Sequence, residues 1–125
     1  MKTRLTLHCL PPSVNHLYRH TKGGRTYRTR DYLTWINAET WTASAQLRGQ
    51  HRFTGPVYIT LAMKRPRSNA DIDNRIKGVL DLLQSIEAID NDKHVHGVNA
   101  FWTVDLPAGV AAEISIVQAD ALEAA

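Results

Sequence analysis

Between Val57 and Leu83 the spacing of apolar side chains changes period, and this change limits the folds open to the chain. Val57, Ile59, Leu61 and Met63 alternate with Tyr58, Thr60 and Ala62, the period-two pattern of a strand with one buried face. Ile72, Ile76, Val79, Leu80 and Leu83 then recur at i, i+4, i+7, i+8 and i+11, which is one face of an α-helix. Each element must bury its apolar side against another layer. Upstream, Leu5, Leu7 and Cys9 alternate with Arg4, Thr6 and His8, a half-buried strand. From Asp31 to Gln50 a helix is expected, with Tyr32, Ile36, Ala43 and Leu47 on one face and Gly49 at its end. Residues 95–104 and 112–117 read as two further strands, separated by the turn residues of "DLPAG". "LPPSVN" breaks regular structure through its two prolines. The segment 16–30 reads as a long loop or irregular hairpin around Gly23 and Gly24. The expected order is β-α-β-α-β-β: an α+β (two-layer α/β) fold with a mixed sheet and two main helices, in one domain spanning 1–125.

Composition narrows the class. With 43% hydrophobic and 22% charged residues the chain reads as an ordinary globular protein. No apolar run approaches the roughly 18–20 residues of a membrane helix, and the apolar stretch at the N-terminus is too short for a secretory leader. Cys9 is the only cysteine, so no internal disulfide can form, and a small buried thiol in an intracellular, cytoplasmic protein is expected. The net charge of +3 is unevenly spread. Arg19, Lys22, Arg25, Arg28 and Arg30 lie together without an acid, and Lys64, Arg65 and Arg67 form a second cluster. A polyanion such as nucleic acid would be drawn to both; solvated basic loops would have the same composition.

The second basic cluster runs directly into aspartates. Asp71 and Asp73 precede or open the second helix, Asp81 lies within it, and Asp90 and Asp92 follow it. Residues two apart on a regular helix point about 200° from each other, so Asp71 and Asp73 can converge only if Asp71 lies on the connection and Asp73 opens the helix. Asp73, Lys77 and Asp81 then share one stripe. Asp90 or Asp92 can join them if the following strand begins beside the strand that ends at Met63. Hard divalent cations, Mg²⁺ or Mn²⁺, prefer such carboxylate oxygens. They polarise a phosphodiester and ready a water for attack, while a neighbouring lysine balances charge on the phosphate. The same residues also suit a plainer use: Asp71 or Asn69 as an N-cap, a salt-bridged outer helix face, and a "DND" turn.

"DIDNRIKGVLDLL" followed by "NDKHV" resembles the RusA family of Holliday-junction resolvases, whose pattern is roughly D-x-D-N-x-x-K-x-x-x-D and then D-D-x-x-V. Asp71, Asp73, Asn74, Lys77 and Asp81 match in turn, and Asn91, Asp92 and Val95 fall on the second segment. Pro11, Pro12, Ser13 and Asn15 are similar to the family's P-P-S-x-N segment. The resemblance runs from about Leu5 into the 95–104 strand. It implies a small homodimeric, Mg²⁺-dependent endonuclease of bacterial or phage origin that cuts four-way DNA junctions. By that resemblance Asp71, Asp73 and Asp92 bind metal and Lys77 aids catalysis. Asn91 departs from the pattern, standing where the family usually has aspartate. It brings an amide oxygen and no charge, which matters only if that position is a ligand. Asp90, one residue earlier, points elsewhere.

DNA contacts are expected from Asn15, Tyr18, Arg19, His20, Lys22, Arg25 and Arg28 in the first basic segment, and from Arg67 and Arg75 around the aspartates. Tyr18 and Tyr27 stand among basic residues, an arrangement suited to stacking on unpaired bases. His94 and His96 alternate and could share a metal, but no third ligand follows at zinc-site spacing. His94 could equally meet a phosphate beside Asp92. Trp35, Trp41 and Trp102 are expected in the core or at a subunit interface. No phosphate-binding P-loop and no G-x-S-x-G nucleophile elbow is present. Two alternatives stay open: a DNA-binding protein without catalysis on the same scaffold, and a nuclease for other branched DNA.

Overall fold

The computed structural model describes residues 1–13, 18–20, 26–66 and 70–119, with backbone only at 18–20 and 26–28. Strand β1 spans Lys2–Leu7, β2 Tyr18–His20 and β3 Thr26–Arg28; helix α1 spans Arg30–Leu47. Strand β4 (Val57–Met63), helix α2 (Asp73–Ser85), strand β5 (Val95–Trp102) and strand β6 (Ala112–Gln118) follow. A 3₁₀ turn at Asp92–His94 leads into β5. The expected α+β architecture is found, with one addition: the basic segment forms a small antiparallel hairpin in which Tyr18 pairs with Arg28 and His20 with Thr26.

The main sheet has the order β1-β6-β4-β5. β4 and β5 are parallel, and β6 runs antiparallel to both β4 and β1. β6 therefore passes β4 and pairs on its far side, leaving β5 at an edge. The register follows from burial. Ile114 stands opposite both Leu5 and Leu61, and Ile116 opposite Ile59, so one sheet face is continuously aliphatic. A slip of one residue would turn that face to solvent. α1 and α2 supply the other half of the core through Tyr32, Trp35, Ile36, Ala43, Leu47, Val79, Leu82 and Leu83.

Thr29 caps α1 by accepting from the Tyr32 N–H. The helix stops where Arg48 turns extended and Gly49 takes a φ of +77°, a left-handed conformation that glycine adopts without strain.

One expectation about side chains is corrected, and one is narrowed from core or subunit interface to exclude the core. Cys9 is exposed, because the chain leaves the sheet after Leu7 and the alternation ends there. Trp41 is not in the core: it is 82% exposed on the outer face of α1, whereas Trp35 is buried. Trp102 is half-buried beneath the Arg65 guanidinium, which lies 5.3 Å from its ring centroid.

Candidate active site

Helix α2 carries the site. Asp73 is its first residue and Asp71 lies on the connection before it, the division that convergence at the helix N-terminus requires. Ile72 occupies the N-cap position and contributes no side-chain cap bond, so Asp71 does not cap the helix. Instead the Asp71 carboxylate accepts from the Asn74 amide at 3.3 Å. Both Asp71 and Asp73 are exposed. Asn69 lies outside the described residues.

One turn further, Lys77 is the hub. Its ammonium donates to Asp81 Oδ1 at 2.9 Å and stands 3.6 Å from Asp92 Oδ2. Asp81 is only 13% exposed, and its other oxygen accepts from the buried Tyr32 hydroxyl at 3.1 Å. The aspartate–lysine stripe is thus no plain outer face. One end is bound into the contact between α1 and α2.

Asp92 arrives by a return loop. β5 does pair with β4, Val95 opposite Val57, but at the opposite end of β4 from Met63. The chain after α2 folds back along the helix, and Gln84 Oε1 accepts the Asp92 N–H at 3.0 Å. Asn91 serves as N-cap of the 3₁₀ turn, its amide oxygen accepting the Lys93 N–H at 3.0 Å. Asp90 faces away, as expected. It meets His94 Nδ1 at 2.7 Å and accepts the Gly55 N–H at 3.1 Å. The His94 hydrogen bond, then the Gly55 N–H, holds the Asp90 carboxyl below its ordinary value. His96 is exposed and packs edge-on to Tyr58.

The prolines that follow β1 are fastened over this helix. Glu39, 3% exposed, accepts the His8 N–H at 3.1 Å and the Cys9 N–H at 2.8 Å. The Trp35 indole N–H donates to the Cys9 carbonyl at 2.9 Å. Arg75 Nη1 donates to the Pro11 carbonyl at 2.6 Å, and the buried Pro11 ring rests on Gly78. Arg75, expected on DNA, is thereby engaged by the chain itself. Glu39 and Gly78 escaped the sequence reading, although each left a trace. Glu39 is a lone acid on the apolar face between Ile36 and Ala43, and Gly78 interrupts an otherwise strong helix pattern.

An open groove of about 760 Å³ at the C-terminal ends of β4 and β5 is lined by Lys64, Arg65, Trp102, Thr103, Val104 and Asp105. The Lys64 ammonium donates to the Pro107 carbonyl at 3.0 Å. Of the other expected DNA contacts, Tyr18, Arg19, His20 and Arg28 lie on β2 and β3, where only the backbone is described. Asn15, Lys22, Arg25 and Arg67 lie outside the described residues.

Hard oxygen donors on Asp71, Asp73 and Asp92 fit a divalent cation chemically. Among the described residues no three histidines, cysteines or carboxylates stand close enough to hold an ion between them. Mg²⁺ needs no such cage, since it commonly binds through one or two carboxylates and completes its shell with water and substrate phosphate.

Comparison with known proteins bears on this arrangement. Among curated proteins none matches the chain. Among protein families, endodeoxyribonuclease RusA matches residues 10–116. That span runs from the proline segment through α1, β4, α2 and β5 into β6, including each carboxylate described above and Lys77. The chain belongs to the RusA endodeoxyribonuclease family.

Proposed function

We propose that the protein is a Mg²⁺-dependent endonuclease that resolves Holliday junctions by paired symmetric nicks, acting as a homodimer with one site per subunit. Mn²⁺ is the natural substitute for Mg²⁺ in such a site. The observation that carries the reading is Lys77, which draws Asp92 from the return loop onto the helix that begins with Asp73. Two distant parts of the motif thereby meet.

In this proposal one or two of the carboxylates of Asp71, Asp73 and Asp92 would hold the ion, with water and the substrate phosphate completing its shell. When bound, it acts as a Lewis acid on the scissile phosphate and lowers the pKa of its water. Lys77 supplies a positive charge where the phosphate gains negative charge. Asp81 and the Tyr32 hydroxyl orient that ammonium. The Asn91 amide oxygen is taken up by a capping bond that an aspartate carboxylate could accept equally well, which supports reading Asn91 as compatible with activity. Lys64 and Arg65 line a groove able to grip backbone phosphates. A junction requires two opposed cuts, and a two-fold dimer is the economical way to make them.

Asp73→Asn tests the assignment. It is expected to abolish cutting of a synthetic four-way junction and to leave junction binding and the melting temperature largely intact. Loss of binding and folding together would remove Asp73 from the site. Wild-type binding without cutting, under Mg²⁺ and Mn²⁺ alike, would support a non-catalytic DNA-binding protein. Equal cutting of flaps and four-way junctions would support a broader branched-DNA nuclease.

A further inference from the structure

Trp102 takes no part in the chemistry proposed above, and its setting is unlike that of a core residue. It ends β5 opposite Met63 and packs against the hydrophobic core, which fixes the ring, yet it stays half-buried. The guanidinium over its ring belongs to Arg65, an exposed side chain. The groove they line, about 760 Å³, falls within the roughly 300–1,000 Å³ of small-ligand sites. Its frame is fastened by backbone bonds. The Thr103 N–H donates to the Met63 carbonyl at 2.8 Å, and the Lys64 N–H to the Ala111 carbonyl at 2.9 Å. The Thr103 hydroxyl oxygen accepts the Asp105 N–H at 3.1 Å. Val104, 92% exposed, adds an apolar side chain to the lining that the fold does not bury.

Lys64 and Arg65 bring positive charge to this aromatic floor. That pairing suits single-stranded nucleic acid, a cation for the backbone and a π-face for the base. A duplex arm offers phosphates to such a groove but keeps its bases stacked inside, so phosphate contacts alone leave the indole unused. An exposed guanidinium over a ring is held weakly, and a base stacks on an aromatic side chain more strongly. The Arg65 guanidinium can therefore yield the ring to a base and pair with phosphate instead, where charge-assisted hydrogen bonds favour it. Lys64 is less free to move, since its ammonium donates to the Pro107 carbonyl. Asp71 follows Arg65 by six residues, at most about 22 Å of chain, so one stretch of DNA can reach both.

We infer that the groove is a single-base site, in which one unpaired base of a DNA strand stacks on Trp102 in place of the Arg65 guanidinium, while that guanidinium takes the adjoining phosphate. A lipid surface is disfavoured, since it calls for a broad apolar face and the lining offers only Trp102 and Val104 beside the acidic Asp105. A free nucleotide would find the same ring and the same guanidinium, but without the neighbouring phosphates that hold a strand in place. The inference rests on the proposed function in taking DNA as the substrate. Its test reads binding in EDTA, not cleavage, so a chain that fails to cut can still show the base site, and a chain that cuts can lack it.

The test is fluorescence-anisotropy binding of the full chain, in EDTA, to a short labelled oligodeoxyadenylate and to an abasic strand with equal phosphates. Wild type is expected to bind the adenylate about tenfold more tightly than the abasic strand. Trp102→Leu should lose that preference and bind the abasic strand as wild type does. Trp102→Phe, which keeps a ring, should retain most of it. Arg65→Gln should weaken binding of both strands and flatten the salt slope by about 0.7. Because Trp102 also touches the core, a measurement on wild type accompanies the variants: a strand carrying 5-bromouracil, irradiated with the protein, should attach at Trp102. Equal wild-type affinity for the two strands overturns the inference, as does a base preference that persists in folded Trp102→Leu. So does attachment at Tyr18 or Tyr27 in place of Trp102, or binding of deoxyadenosine monophosphate as tight as that of the strand.

Discussion

Gly78→Ala separates intrinsic helix preference from packing, because the two predict opposite signs. Gly78 lies inside α2, where alanine is favoured over glycine by about 1 kcal/mol. A Cβ there would stand 2.6 Å from the Pro11 Cβ and 3.1 Å from its Cγ. Carbon pairs settle at roughly 3.5–4.0 Å, so helix and proline segment must separate by about 1 Å. Overpacking of this kind costs about 1–3 kcal/mol. The separation also stretches the bond from Arg75 to the Pro11 carbonyl, a charge-assisted bond worth about 1.5–3 kcal/mol. Partial relaxation leaves a net loss of about 1–2 kcal/mol, a fall in melting temperature of roughly 4–8 °C for a chain of this size. Pro11→Gly removes both ring atoms that the new methyl meets. Combined with Gly78→Ala it should therefore show a coupling of about 1 kcal/mol or more in a double-mutant cycle. Calorimetry on the four proteins measures this. A Gly78→Ala variant at least as stable as wild type, or additive effects in the cycle, would show that the proline segment does not rest on α2.

Three further perturbations follow from the same contacts. Glu39→Ala leaves the His8 and Cys9 amides without their acceptor and should cost about 2–4 kcal/mol in urea unfolding, with Glu39→Gln costing about 1 kcal/mol because one oxygen remains; equal costs would refute the clasp. Lys77→Gln keeps a donor for Asp81 but loses the charge, so junction cleavage should fall on the order of 100-fold while the melting temperature moves by only a few degrees; unchanged cleavage would remove Lys77 from the chemistry. The Asp90 carboxyl is depressed by His94 and by the Gly55 N–H, so its contribution is present above the unfolded-state pKa and is lost as pH falls through the folded one. The stability gap between wild type and Asp90→Asn should therefore narrow below about pH 4, and a gap constant through that range would contradict the assignment.

Periodicity made the main elements legible. The strict alternation of β4 and the 3.6-residue spacing of α2 depend on residues adjacent in sequence, and both elements lie where those patterns end. Asp71 on the connection and Asp73 on the helix followed from the same geometry. What stayed hidden depends on contacts between distant segments. Nothing local says that the chain after Leu7 abandons the sheet to cross both helices, since the Glu39, Trp35 and Arg75 bonds that hold it are long-range. The alternation through Cys9 predicts a buried thiol for that reason, whereas the thiol is exposed. The return loop that brings Asp92 to Lys77 is equally invisible, because β5 begins at the far end of β4. The short hairpin of Tyr18–His20 and Thr26–Arg28 carries no alternation strong enough to mark two strands.

Metal-dependent resolution is read out by cleavage of a mobile four-way junction, end-labelled in turn on each strand, by the purified protein with Mg²⁺ or with EDTA. Paired nicks at symmetric positions on opposing strands, dependent on the metal and yielding two nicked duplexes, are the expected result. Binding without nicks under Mg²⁺, or nicks that persist in EDTA, would contradict it.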